Sequence, residues 1–283
     1  MPIDVHLALG HEMPATESSW DADQVILYHL GVGAGAVPTA PSELEYTYEG
    51  KLKVLPSFGV IPVFAAIMSV GNVPGLKFNP MLLLHGGQDL QVHRKIPRSA
   101  TLSSVARVAQ IYDKGKGAVV ELEVESREID GDPLFTNTFS LFLRKEGGFG
   151  GERGPEPGNA PPDRAPDHVV ESPTLPQQAL LYRLSGDKNP LHADPGFAKM
   201  GGFDRPILHG LCSYGVVCKA VVDTVCEGNV ERVARYAVRF SGVVFPGETI
   251  VTSMWKEGDQ VIVTATTKER GQPVLSNAAV TLR

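Results

Sequence analysis

From Lys145 to about Pro166 the chain is built almost entirely of Gly, Pro and charged residues, reading G-G-F-G-G-E-R-G-P-E-P-G-N-A-P-P-D-R-A-P over 147–166. Such a stretch cannot bury enough apolar surface to fold on itself and reads as a linker. The same order of patterns stands on either side of it. Ahead of it come helical spacing over Trp20 to Leu30, behind a Ser19 or Asp21 cap, and strand-like alternation over Leu44 to Tyr48. The apolar run Phe58 to Val70 then reads as a buried helix despite Pro62. Strand patterns follow over Met81 to Val92, Ala100 to Tyr112, Ala118 to Ile129 and Phe135 to Arg144, with Asp113-Lys114-Gly115 and Asp130-Gly131-Asp132-Pro133 as turns. Beyond the linker come a short helix over Pro176 to Leu184, an irregular loop, and a long apolar helix over Ile207 to Val225 started by Pro206. Four alternating runs complete the chain: Tyr236 to Val244, Thr249 to Lys256, Val261 to Lys268 and Val274 to Leu282.

Self-comparison agrees with a duplication. Leu27-Tyr28-His29-Leu30 lines up with Leu181-Tyr182-Arg183-Leu184, and the run from Asn137 to Arg144 resembles the run from Asn277 to Arg283. The expected organisation is an N-terminal half at 1–144, a linker at 145–168 and a C-terminal half at 169–283. The expected fold class is α+β: one helix wrapped by a curved antiparallel sheet, twice, which is a double hot-dog.

Within the second half, the stretch L-S-G-D-K-N-P-L-H sets Asp187, Asn189 and His192 within six residues, on a segment that Gly186, Pro190 and Pro195 keep from regular structure. On spacing alone Ser-Gly-Asp and Asn-Pro read first as a structural turn, because Asp and Asn bond their own backbone there. An acid and an imidazole on a rigid loop ahead of a helix N-terminus are also the parts of an acid-base site with an oxyanion donor. Extending the self-alignment places Gly33 opposite Asp187 and finds no counterpart of His192. If one half does acid-base chemistry, it is the second.

Composition excludes several other classes. A net charge of −6, from 26 basic and 32 acidic residues without a long block of one sign, does not suit a sequence-independent nucleic-acid surface. The N-terminus has no basic segment followed by an apolar one, and no apolar run approaches the ~20 residues that span a membrane, so a cytoplasmic protein is expected. Cys212, Cys218 and Cys226 lack metal or redox spacing and read as reduced, buried residues. His192-x-Asp194 with His209 offers ligand types for a metal but no third ligand at a characteristic spacing, so no metal is expected, and His209 reads as a core histidine. Gly31-x-Gly33-x-Gly35 precedes Pro38 and reads as a loop, with no phosphate-binding context.

The loop string resembles the S-G-D-x-N-P-x-H signature of the MaoC-like hydratases, in particular the hydratase 2 group of (R)-specific 2-enoyl-CoA hydratases. The resemblance covers nearly the whole chain, including Tyr48-Glu-Gly50, Leu84-His-Gly86, Asp113-Lys-Gly115, Gly147-Gly-Phe-Gly-Gly151 and Met254-Trp-Lys-Glu-Gly258. It implies a double hot-dog that hydrates trans-2-enoyl-CoA to (3R)-3-hydroxyacyl-CoA with no cofactor, CoA being part of the substrate. Asp187, Asn189 and His192 fall on the family's catalytic acid, amide and histidine, and Gly210 on a ligand-contact position whose N–H suits an oxyanion. His85, Gly86, Lys114 and Phe240 fall on further binding positions. From the residues themselves, Lys114 reads equally as a solvated turn lysine and Phe240 as a core aromatic. Glu49 matches an acidic position of the family and is assigned a structural role, since the loop already holds an acid and a base. A degenerate N-terminal half implies tolerance of medium, long or bulky acyl chains. The alternatives are dehydration of 3-hydroxyacyl groups on acyl carrier protein, and a non-catalytic acyl-CoA-binding subunit. Sheet edges favour a homodimer.

Overall fold

The structure is a computed structural model that describes residues 3–129 and 131–283. Met1, Pro2 and Asp130, the last within the expected turn before Pro133, lie outside the described residues. Among the described residues ten strands form one antiparallel sheet: β1 (Thr16–Trp20), β2 (Leu83–Val92), β3 (Ala100–Asp113), β4 (Gly117–Glu128), β5 (Pro133–Arg144), β6 (His168–Pro173), β7 (Val233–Phe240), β8 (Thr249–Glu257), β9 (Gln260–Thr267) and β10 (Pro273–Leu282). Their order across the sheet is β1-β3-β4-β5-β2-β7-β10-β9-β8-β6. Adding five to each strand number of the first half returns the second half in mirrored order, so the duplication read from the sequence holds strand for strand. The structure thus has the expected double hot-dog form, with one correction. The two half-sheets are a single sheet, joined where β2 pairs with β7 from Gly87↔Arg239 to Gln91↔Arg235.

Seven helices accompany the sheet among the described residues: α1 (Val5–Ala8), α2 (Ala22–Gly31), α3 (Pro41–Thr47), α4 (Phe64–Met68), α5 (Gln178–Tyr182), α6 (Pro195–Met200) and α7 (Gly210–Thr224). Only α7 is a long central helix. Eleven of its residues are buried, so it is apolar nearly all round, as a helix inside a curved sheet must be. Tyr214 ties it to β7, its hydroxyl donating to the Tyr236 carbonyl at 3.0 Å while the two rings stack at 4.1 Å. Gly215 lets it approach the first half: a Cβ there would lie 2.5 Å from Val32 Cγ1 and 2.6 Å from the Tyr28 hydroxyl. One helix therefore packs against both halves.

The expected helix in the first half does not form as such. Phe58 to Val70 is broken into a 3-10 turn at Pro56–Val60, the five-residue α4, and a second 3-10 turn at Ser69–Asn72. Pro56 and Pro62 remove backbone donors and Gly59 weakens the intervening turn, while Phe58, Val60, Val63, Ala66 and Val70 are still buried. Leu44 to Tyr48 is also corrected, from strand to α3. Pro41 occupies the first turn of that helix, and of the alternating Leu44, Tyr46 and Tyr48 only Tyr46 is buried. Its hydroxyl donates to Asp223 Oδ1 at 2.5 Å, fixing α3 to α7. Strand β1, unrecognised in the sequence, lies along β3.

α2 and α5, the matched Leu-Tyr-x-Leu segments, pack side by side with the Tyr28 and Tyr182 rings 6.0 Å apart. α2 opens with a capping box between Asp21 and Gln24 and closes against α5, where Gln178 Nε2 donates to the carbonyls of Leu30 (3.1 Å) and Gly31 (2.7 Å). The 145–168 segment has no strand or helix before β6, which begins at His168, yet its start is pinned. The Asp113 carboxylate accepts the N–H groups of Gly115, Gly148 and Gly150 at 2.8 to 2.9 Å, and these bonds draw its pKa down to about 2. No described helix is long and apolar enough to cross a membrane.

Candidate active site

The loop between α5 and α6 is shaped by its own side chains. The Asp187 carboxylate accepts the Asn189 N–H at 3.0 Å, and the Asn189 carboxamide oxygen accepts the Leu191 N–H at 3.0 Å, two successive side-chain turns. Asp194 caps α6 by accepting the Phe197 N–H at 2.9 Å, and the acid that stands with His192 and His209 is Asp187. Asn189 still has its Nδ2–H groups, and the second lone pair of its oxygen, to meet a water.

His192, in the 3-10 turn Pro190–His192, is buried and turned inward. Its Nδ1 lies 2.8 Å from the Ile207 carbonyl, which can only accept, so Nδ1 carries the proton and Nε2 keeps a free lone pair. Burial lowers its pKa, opposed by the Ile207 carbonyl and by Asp187. The imidazole stacks on that of His209, centroids 3.6 Å apart with the planes at 27°. His209 Nε2–H donates to the Asp187 backbone carbonyl at 3.0 Å, and burial, aided by His192, holds its pKa down to about 3. Both rings are neutral bases at neutral pH.

Asp187, His192 and His209 each place one polar atom within 4.8 Å of the others. The donor types would suit zinc, but the stack does not. Two rings facing each other at 3.6 Å send their in-plane lone pairs along nearly parallel planes, which cannot converge on one ion about 2 Å from both nitrogens.

The long helix starts later than Pro206 suggested, at Gly210, because Leu208 is held extended by its N–H bond to the Val244 carbonyl at 2.8 Å. This puts the exposed Gly210 at the first position of α7, where its N–H has no intrahelical acceptor and faces the positive dipole end. A Cβ on Gly210 would lie 3.2 Å from the Phe240 ring. Phe240 in turn packs on His85 at 4.8 Å between centroids. His85 Nε2 is buried without a hydrogen-bond partner, and burial takes the ring's pKa down to about 4, so it too is neutral. Gly86 is the extra residue where the β2–β5 register shifts between His85 and Gly87, and a Cβ there would come 3.3 Å from the Ser140 carbonyl.

The structure thus brings Asp187, Asn189, His192, Gly210, Phe240, His85 and Gly86 into one region and leaves Lys114 apart. Lys114 is exposed on the β3–β4 turn, its Nζ donating to the Arg153 carbonyl and standing 5.6 Å from the Tyr112 ring centroid. The pairings Leu83↔Leu143, Leu143↔Ala118 and Ala118↔Asp113 set it at the same end of the sheet as the start of β2, three strand spacings or about 14 Å across. Glu49 is exposed in the turn Glu49–Lys51. The Cys212 thiol donates to the Gly31 carbonyl and burial pushes its pKa up, which disqualifies it as a nucleophile.

His209 is a buried histidine bonded to backbone, as its sequence context suggests, and the structure adds its contact with His192. The available signal for that contact was an imidazole directly before a glycine at a helix start.

Residues 18–145 match the MFE-2 hydratase 2 N-terminal domain and residues 158–278 match the MaoC like domain. The chain is 44% identical over 277 residues to enoyl-CoA hydratase ChsH3 of Mycobacterium tuberculosis, covering 97% of each chain. It is 42% identical over 286 residues to the peroxisomal enoyl-CoA hydratase 2 of Arabidopsis thaliana, covering 95% of this chain and 93% of that one. Among solved structures, a MaoC-like dehydratase from Phytophthora capsici superposes with a TM-score of 0.87 at 33% identity over 99% of both chains. A Mycobacterium tuberculosis protein described as a double hotdog fold, at 13% identity, a TM-score of 0.58 and coverage of 98% of this chain and 97% of that one, shares the fold alone.

Proposed function

Because the chain belongs to the MaoC-like hydratase 2 family, we propose that it is an enoyl-CoA hydratase that adds water across the double bond of trans-2-enoyl-CoA to give (3R)-3-hydroxyacyl-CoA, and runs the reverse dehydration. The observation that carries this reading is a His192 ring nitrogen and an Asp187 carboxylate oxygen within 4.8 Å of each other, with the His192 Nε2 lone pair free and the unengaged N–H of Gly210 at the helix start behind them.

The chemistry follows from those groups. A water held between Asp187 and His192 attacks C3 and gives up a proton to the pair, while C2 takes a proton from the pair, so the net change is one water added. As the C3–O bond forms, the thioester oxygen gains enolate charge, and the Gly210 N–H at the start of α7 meets it. Asn189 holds the loop and offers Nδ2–H to the same water. Lys114, three strand spacings across the sheet from the start of β2, would meet a CoA phosphate, and Phe240 with His85 would line the pantetheine path.

The acyl chain is assigned to the first half, which has no long central helix among its described residues. Trp20, Leu27, Phe58, Ile61 and Pro62 line a pocket whose rim includes Leu184 and Ser185, two residues before Asp187. Apolar walls of this kind would contact part of an acyl chain, and the tolerance of medium, long or bulky chains rests on the first half's lack of a second acid-base loop. The edge strands β1 and β6 favour a homodimer, to be checked by light scattering.

The test is loss of the ultraviolet absorbance of the conjugated enoyl thioester on adding pure protein, followed by chiral analysis of the product. A chain-length series and a comparison of CoA with carrier-protein thioesters define the substrate. No loss of absorbance, or a 3S product, would overturn the assignment.

A further inference from the structure

We propose that His209 is a positioning residue: its Nε2–H clamps the backbone of Asp187 while its ring face seats His192, so that one side chain fixes both members of the acid-base pair. The inference rests on the hydratase reading above and concerns a residue to which that mechanism gives no task.

His192 and Asp187 stand on a loop that has little else to hold it. The side chains of Asp187, Asn189 and Asp194 bond only backbone N–H groups two or three residues on, which shapes the loop locally but does not dock it. Two contacts tie the loop's reactive groups to the body of the protein through hydrogen bonds across the chain: His192 Nδ1–H to the Ile207 carbonyl at 2.8 Å, and His209 Nε2–H to the Asp187 carbonyl at 3.0 Å. Both anchors lie on the extended Ile207–His209 strap that leads into α7, where Leu208 is fixed in turn to Val244. The strap that delivers the Gly210 N–H is therefore also the strap that locates the acid and the base.

The tautomer is dictated by these partners. A carbonyl only accepts, so His209 must carry its proton on Nε2, which leaves Nδ1 as a bare lone pair, buried and without a partner. A buried unpaired acceptor is costly unless the site needs that orientation. The faces are committed as well: Tyr182 packs on the His209 ring at 4.9 Å between centroids and His192 stacks at 3.6 Å. Asp187, His192, Arg183 and Tyr182 are the titratable or charged groups around it, and a cation here would meet Arg183 and any protonated His192. A neutral imidazole satisfies the clamp and the stack together.

The two functions can be separated by substitution. His209→Gln can keep a donor near the Nε2 position and loses the stack, whereas His209→Phe keeps a ring against His192 and loses the donor. Misplacing a catalytic group by about 1 Å costs on the order of 10²-fold. We expect His209→Phe to lower kcat by about that factor with KM for the enoyl-CoA changed less than about 3-fold, and His209→Gln to recover at least about 10-fold of the loss. Wild-type kcat in His209→Phe, or equal losses in the two variants, would overturn the proposal. Nitrogen-15 spectra of the wild-type imidazoles supply the arm that needs no turnover. The proposal expects His209 as the Nε2–H tautomer at neutral pH, and an Nδ1–H tautomer refutes the clamp. A wild-type protein that hydrates no enoyl thioester would instead count against the proposed function, leaving the spectra to decide the clamp.

Discussion

Acid should destabilise this protein through His29, and by an amount that can be worked out in advance. His29 is fully buried in α2 with both ring nitrogens in use: Nδ1–H donates to the Tyr46 carbonyl at 2.8 Å, and Nε2 accepts the Leu55 N–H at 3.1 Å. Burial first, then Lys219 and Lys53, lower its pKa from 6.5 to about 4, against the opposing pull of the Tyr46 carbonyl. The folded pKa lies below the unfolded one, so between pH 6.5 and about 4 the unfolded chain binds a proton that the folded protein refuses. Stability from this residue is therefore full above 6.5 and falls as the pH drops, levelling off below 4. At pH 4.5, two pH units below 6.5, the loss is about 3 kcal/mol at about 1.4 kcal/mol per unit. His29→Asn removes the titration and, by leaving the Leu55 N–H unpaired, should cost about 1 to 3 kcal/mol at pH 7.5. Urea unfolding of both proteins, followed by the fluorescence of Trp20 and Trp255, measures their difference at each pH. The wild-type advantage at pH 7.5 should shrink by about 3 kcal/mol at pH 4.5 and so vanish or reverse. His85 and His209, also depressed, are common to both proteins and cancel. A difference that stays constant with pH would refute the argument.

Asp187→Asn and His192→Gln should each lower kcat by roughly 10²-fold to 10⁴-fold, with the double variant near the worse single one, as measured by single-turnover hydration. Asn keeps an oxygen for the Asn189 N–H, so near-normal turnover in a stably folded Asp187→Asn protein would sink the catalytic assignment. Gly210→Ala sets a methyl 3.2 Å from the Phe240 ring and in the path of the thioester oxygen, and kcat/KM should fall on the order of 10-fold or more with little change in melting temperature. Ile61→Trp should fill the pocket beside Phe58 and Leu184, abolishing turnover of long enoyl chains while short ones react normally, and an unchanged chain-length profile would move the acyl site elsewhere.

Much of this was legible in the residues. Period-2 alternation located eight of the ten strands within a few residues of their bounds, and the Gly/Pro-rich segment separated two halves whose strand order repeats. The Asp187, Asn189 and His192 cluster was visible because its turn chemistry is local: each carboxylate or amide bonds a backbone group two residues on. Local patterns failed where distant partners decide. Leu44-Glu-Tyr-Thr-Tyr48 alternates like a strand, but Pro41 and the bond from Tyr46 to Asp223, 177 residues away, make it a helix. Phe58 to Val70 has the hydrophobicity of a core helix, yet α7 already fills the position between the halves, and prolines break the run into turns.

By itself, then, the sequence determined which segments could be strands, where the chain divides and which loop carries an acid and a base, because those properties follow from the dihedral limits and polarity of neighbouring residues. Tertiary structure alone decided that two half-sheets join through β2 and β7 and that one helix serves both. It also decided that His209 stands under His192 with its N–H on Asp187. Residues 22 positions apart along the chain meet there only because the strap before α7 folds back beneath the loop, and no periodicity in a sequence records that crossing.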